Sequence, residues 1–192
     1  MHKNRFEAFS DGVMAIIITI MVLEMKVPHD SGATLEALKP VIPIFLSYVS
    51  SFIYLGIYWN NHHHLFQAVK HVNGSVLWAN SHLLFWLSLI PFVTAWQGVN
   101  NFAALPVALY GVVLFGAAVA YFILAHTLVA SHGRDSTLAM ALGTDLKGKI
   151  SILMYFSAII LAFVNPLFSC AFYVLVAIMW LVPDRRIEKV LE

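Results

Sequence analysis

The residues that could do chemistry fall in two clusters. In the first, Arg5, Glu7, Ser10 and Asp11 precede an apolar run, residues 13–23, with no charge and one polar residue, Thr19. Ionisable groups at the mouth of a membrane segment are costly, face protein or water, and mark function. The second cluster is Asn60-Asn61-His62-His63-His64. Consecutive helical residues point about 100° apart, so three adjacent histidines cannot reach one ion, and the i,i+4 spacing of a zinc pair is missing. No bound metal or other cofactor is expected. His63 is expected instead as a buried hydrogen-bond partner in the Asp11 network, with His62 and His64 at headgroup level. His62, His64 and His71 predict modest pH sensitivity.

Ser10, Asp11 and His63 do not make a hydrolase. Asp11 adjoins Ser10 and points elsewhere, and no oxyanion-hole glycine pattern surrounds the serine. Paired glutamates at metal spacing and a phosphate loop are also missing from the sequence, so no enzyme is expected. The chemistry left to Asp11 and His63 is proton exchange, which keeps a proton- or cation-coupled transporter as the alternative reading. His82 and His126 are expected to bond a neighbouring serine or a backbone carbonyl within the bundle.

These residues sit in a chain of 192 residues, 60% hydrophobic and 11% charged, with mean hydropathy +0.81. Soluble domains carry about 25% charged residues; this is an all-α integral membrane protein in contact with the lipid bilayer. A net charge of +1 gives no basis for nucleic acid binding. The single cysteine, Cys170, cannot form an intramolecular disulfide. The first apolar segment lacks a small-residue cleavage site and has an acidic n-region, so it is expected to be retained as a span.

A bilayer core needs about 20 apolar residues per helix. Six spans are predicted, at 5–27, 41–66, 75–96, 103–131, 150–164 and 166–182, in one transmembrane domain over 1–192, with no internal repeat or linker. Pro91 is expected to kink the third. The last apolar block is too long for one span and is divided at Asn165-Pro166, because proline disfavours helix at the residue before it; one kinked span plus a re-entrant piece is the alternative. With the N-terminus inside, nine of the eleven Lys and Arg residues lie in inner segments and two, Lys26 and Lys39, outside. That bias predicts a multi-pass cell-membrane protein with both termini cytoplasmic, and Arg185, Arg186 and Lys189 as an inner-leaflet anchor. Trp78, Trp86, Trp96 and Trp180 fit interfacial belts or interhelical packing.

On a helical wheel centred on Ile16, Phe9, Ile20, Leu23 and Val27 fall within about 40° and Gly12 lies close on the other side, whereas Asp11 lies about 140° away. Thr19 flanks the stripe. One face of the first helix is therefore apolar, and its charges look toward other helices. Glu24, about 80° from Ile16, sits at the edge of that face and could draw cations to an outer mouth; a solvated headgroup-level carboxylate is the equal alternative.

Arg5-x-x-x-Phe9-Ser10-Asp11, followed by Tyr58-Trp59-Asn60-Asn61-His62-His63 and Leu84-Phe85-Trp86-Leu87-Ser88-Leu89-Ile90-Pro91-Phe92, resembles the transmembrane protein 175 family, potassium-permeable channels of prokaryotes and lysosomes. The last three helices match only in hydropathy. The resemblance implies a homotetramer of six-helix subunits whose first helices line the pore. It implies that Arg5, Ser10, Asp11, Trp59 and His63 bond the first helix to the second and to the neighbouring subunit. It also implies a constriction of bulky aliphatic rings at Ile16, Ile20 and Leu23, with Thr19 as the polar step, and K+ and other monovalent cations as permeant ions. The chain has no Thr-Val-Gly-Tyr-Gly filter loop, so no carbonyl cage replaces the hydration shell; an isoleucine ring can gate by dewetting. Discrimination then favours the ion that sheds water more cheaply, giving weak to moderate selectivity for K+ over Na+.

Overall fold

The computed structural model describes residues 3–28, 32–133 and 136–181. Arg134, Asp30 and the proposed anchor at Arg185, Arg186 and Lys189 lie outside the described residues. In chain order the helices are α1 (Lys3–Leu23), a 3-10 turn (Glu36–Val41), α2 (Ile42–Gln67), α3 (Gly74–Ser88), α4 (Ile90–Val99), α5 (Ala104–His132), α6 (Thr137–Leu142), α7 (Leu146–Leu161) and α8 (Pro166–Leu181). Among the described residues, four helical stretches are long and apolar enough to cross a membrane: Lys3–Leu23, Glu36–Gln67, Gly74–Val99 and Ala104–His132.

Local chemistry sets the boundaries. The third apolar segment breaks at Leu89, just ahead of Pro91, which sits in the first turn of α4. Proline has no N–H to give the Leu87 carbonyl one turn back and clashes with a helical predecessor; at the break the Leu89 amide turns to the Trp86 carbonyl and the hydroxyl of Ser88 donates to the Phe85 carbonyl at 2.7 Å. Asn73 caps α3 by accepting from the Val76 amide at 3.0 Å, and Asp145 caps α7 by accepting from the Gly148 amide at 3.2 Å. The last apolar block forms α7 and α8, with Pro166 as the first residue of α8 and the Asn165 side chain accepting from the Leu167 amide. Pro in the first turn of a helix loses no bond, because that N–H has no intrahelical acceptor. Three features differ from the sequence reading: α7 runs from Leu146 to Leu161 rather than 150–164, the polar loop before it carries α6, and α1 ends at Leu23, so Glu24 and Val27 lie beyond it and their wheel positions no longer apply.

Helix α5 is the centre of the bundle, packed by α3, α4, α7 and α8, while α1 leans on α2, α3 and α4 from the side. Small residues let the backbones approach α5 closely. A Cβ at Gly116 would lie 2.3 Å from the Trp86 ring, so that indole fills the space a side chain would need. The interior also carries hydroxyls, each with a partner, as burial demands. The Ser51 hydroxyl lies 2.6 Å from that of Thr94 and 3.0 Å from that of Tyr110. Tyr54 donates to the Tyr173 carbonyl, and the Tyr173 hydroxyl donates to that of Val107 at 3.0 Å. These bonds cross-link α2, α4, α5 and α8 into one block.

Candidate functional site

Helix α1 has two faces of opposite fate. Phe6, Ser10, Met14, Ile17 and Met21, at spacings of three and four, are buried against the bundle. On the other side Ile16 is 58% exposed, Ile20 43%, Leu23 75% and Phe9 60%, with Gly12 and Thr19 also exposed. No other described segment covers this stripe. The Thr19 hydroxyl donates to the Ile16 carbonyl at 2.9 Å, which uses its hydrogen and leaves the oxygen lone pairs facing outward among aliphatic neighbours. Beside the stripe a groove of about 520 Å³ separates α1 from the α3–α4 break, with Ile16, Ile20, Glu24, Ser88, Pro91 and Phe92 among its walls. Glu24 is exposed and reaches this groove although it lies past the helix end.

The base of α1 is held by polar bonds. The Trp59 indole donates to Asp11 Oδ1 at 3.1 Å, and the Trp59 and His63 rings stack at 6.1 Å. The Ser10 hydroxyl donates to the Phe6 carbonyl at 3.1 Å, so its oxygen accepts from the Asn80 amide nitrogen at 2.9 Å. That leaves Asn80 Oδ1 as the acceptor for His62 Nε2 at 2.9 Å. One carbonyl thus orders donors and acceptors through α1, α3 and α2. Ser10, Asn80 and His62 are essentially fully buried, and Phe66 packs against both Phe6 at 4.8 Å and His62 at 4.6 Å.

Of the residues read from the sequence, Asp11, Trp59 and His63 come together directly, and Ser10 joins α1 to the bundle through a different partner. The histidine roles differ from the expectation. His62 is buried and hydrogen-bonded, whereas His63 is exposed and lies 3.0 Å from the Gln67 amide. A turn of about 100° between neighbours puts only one of the pair on the buried face. Arg5 is exposed and has no ion-pair partner among the described residues. Asn80 was missed as a site residue; its signal was an amide inside an apolar span, which needs a partner. His82 accepts from the Trp86 indole at 3.0 Å rather than bonding a serine or a backbone carbonyl, while His126 Nδ1 lies 2.9 Å from the Phe122 carbonyl. Among the described residues no three His, Cys, Asp or Glu side chains converge as a metal site.

Among its described residues the arrangement sets no hydroxyl or thiol against a histidine or a carboxylate. It offers an uncovered apolar helix face whose base is pinned to a rigid bundle. Comparison with known proteins agrees in kind. The family model described as "Endosomal/lysosomal potassium channel TMEM175" matches residues 5–91. A bacterial protein named as a potassium channel, from Chryseobacterium sp. (strain P1-3), is 56% identical over 192 residues, 100% of this chain and 99% of that protein. The human protein named "Endosomal/lysosomal proton channel TMEM175" is 34% identical over 116 residues, 55% of this chain and 23% of that protein. The crystal structure of a lysosomal potassium-selective channel TMEM175 homolog from Chamaesiphon minutus superposes with a TM-score of 0.80 at 26% identity, covering 95% of this chain and 97% of that one. The signature on α1 to α4, the fold and an identity that runs the full length of the chain agree, and the chain belongs to the TMEM175 family of ion channels.

Proposed function

We propose that this chain is the subunit of a homotetrameric, potassium-permeable channel in the cell membrane, with α1 from each copy lining the pore. The subunit crosses the bilayer six times with both termini cytoplasmic. α7 and α8, 16 residues each, span about 24 Å and so form the short pair of spans. The observation that carries the reading is the uncovered stripe of Ile16, Ile20 and Leu23 on a helix whose other face is fully used. Four copies around an axis turn each position into an aliphatic ring, with Thr19 as the polar step.

A ring of four isoleucines has no ligand for a cation, so it closes by dewetting and opens by widening. K+ passes more readily than Na+ because its hydration shell yields at lower cost, and selectivity is weak to moderate. Glu24 at the outer end raises local cation concentration. The Asp11–Trp59 and Ser10–Asn80–His62 bonds fix the rotation of α1, which keeps the stripe toward the axis. The transporter alternative draws no support from the geometry, since Trp59 bonds Asp11 and stacks on His63, standing between the two proposed coupling groups. The test is Ile16→Asn in liposomes with K+ and Na+ fluxes measured side by side. Flux should rise and the K+/Na+ ratio fall toward one. Unchanged fluxes with an unchanged ratio would exclude Ile16 from the filter.

A further inference from the structure

At the end of the bundle where α1 begins, the 68–73 connector between α2 and α3 is fastened to the last residue of α5. The Lys70 backbone amide donates to His132 Nε2 at 3.1 Å, and the His71 amide donates to the same nitrogen at 3.5 Å. Across the ring, His132 Nδ1 lies 2.9 Å from the Leu128 carbonyl oxygen and 2.9 Å from the Ser131 hydroxyl, which itself donates to that carbonyl. A carbonyl only accepts, so Nδ1 carries the hydrogen. A backbone amide only donates, so Nε2 is bare. Two independent contacts select the same neutral tautomer. The His71 ring stacks on that of His132 at 4.4 Å and 25°.

We propose that His132 is a pH-sensitive latch that holds the 68–73 connector when neutral and releases it when protonated. A proton taken from solvent can settle only on Nε2, and there it sets N–H against two N–H donors. The contact turns from attraction to repulsion and the connector must leave. His132 is only half-buried, so water can replace the lost partners. The titratable groups around it are Lys70 and His71 on the connector. α6 carries no titratable residue, the first two turns of α3 carry none, and His126 is the next along α5; Arg134 and Asp135 follow outside the described residues. None of these described groups is an acid; the carboxylate beside α5 is that of Asp145, 3.9 Å from His126 Nδ1.

Release reaches α1 because the connector joins the two helices that hold its base, α2 through Trp59–Asp11 and α3 through Asn80–Ser10. That coupling to conduction rests on the channel reading above; the latch itself does not. Hydrogen–deuterium exchange of peptide 68–73, corrected for the intrinsic pH dependence of exchange, is compared at pH 8 and pH 5.5 in the native protein and in His132→Gln. The glutamine carbonyl can accept from the Lys70 amide without titrating. Exchange should rise about tenfold on acidification in the native protein and less than about twofold in the variant. Equal responses in the two proteins, or no response in the native one, would overturn the latch. If the variant does not fold, the ¹⁵N spectrum of His132 decides: a neutral ring protonated on Nδ1 at pH 8 is required, and the Nε2–H tautomer contradicts it. Liposome K+ flux, with acid on the side bearing residues 68–73, should change at least threefold with the exchange switch. A switch in exchange with unchanged flux would refute the coupling, whereas no flux at either pH would refute the channel reading and leave the latch standing.

Discussion

Helices α1 and α5 are both long and apolar, yet they are used in opposite ways. Of α5's most apolar window 56% is buried, against 28% of α1's. α5 is packed on several sides by its neighbours, with a glycine where Trp86 presses closest; such a helix serves as a core. α1 is equally free of charge along residues 13–23, but half of its circumference meets nothing in the chain. The difference shows that hydropathy alone does not assign a role to a membrane helix. What separates the two helices is where their contacts stop.

Truncations on the two helices should therefore differ first in stability. Leu114→Ala on α5 empties a fully buried site and should cost about 2–5 kcal/mol, read as a lower melting temperature in detergent. Ile16→Ala on α1 removes a side chain that is mostly exposed and should cost under about 1 kcal/mol while changing ion flux. Equal losses of stability would mean that the α1 stripe is packed as tightly as the α5 core, and the contrast would fall.

The pins at the base of α1 come next. Asn80→Ala leaves the Ser10 oxygen and the His62 ring without their buried partner and should cost about 1–3 kcal/mol. Its second consequence is specific, because freeing the rotation of α1 should lower K+ flux more than the stability loss explains. A stable variant with native flux would show that Asn80 does not position the helix. The smallest effect belongs to Glu24→Gln. Exposed charges act over about 10 Å at 0.1 M salt, so single-channel conductance should fall up to about twofold at low salt and match the native value at high salt. Conductance unaltered at low salt would remove the outer-mouth role.

How much of this was legible depends on the range of the interaction that decides it. The break at Pro91 and the opening of α8 at Pro166 follow from a missing N–H and a local clash, and both could be read along the chain. The stripe on α1 follows from spacing alone, and its exposed members Phe9, Ile16, Ile20 and Leu23 match the wheel. The end of α1 at Leu23 was not legible, because Glu24, Met25 and Lys26 are all good helix formers and no proline intervenes before Pro28. Nor could the choice between His62 and His63 be made, since it depends on the rotation of α2 about its own axis. Asn80 joins Ser10 and His62 only where three helices meet, and no spacing rule reports such a triple contact.

The central claim is that the uncovered face of α1 lines the ion path. Cys170 is the only cysteine in the chain, so Cys170→Ser supplies a background free of thiols. Cysteines are then placed singly at Ile16, Ile20 and Leu23 on the exposed face and at Met14 and Ile17 on the buried one, and K+ current is recorded before and after a small cationic thiol reagent. The account predicts lasting block at the exposed positions, fastest at Leu23, and none at Met14 or Ile17. Block at the buried pair with none at Ile16, Ile20 and Leu23 would contradict it.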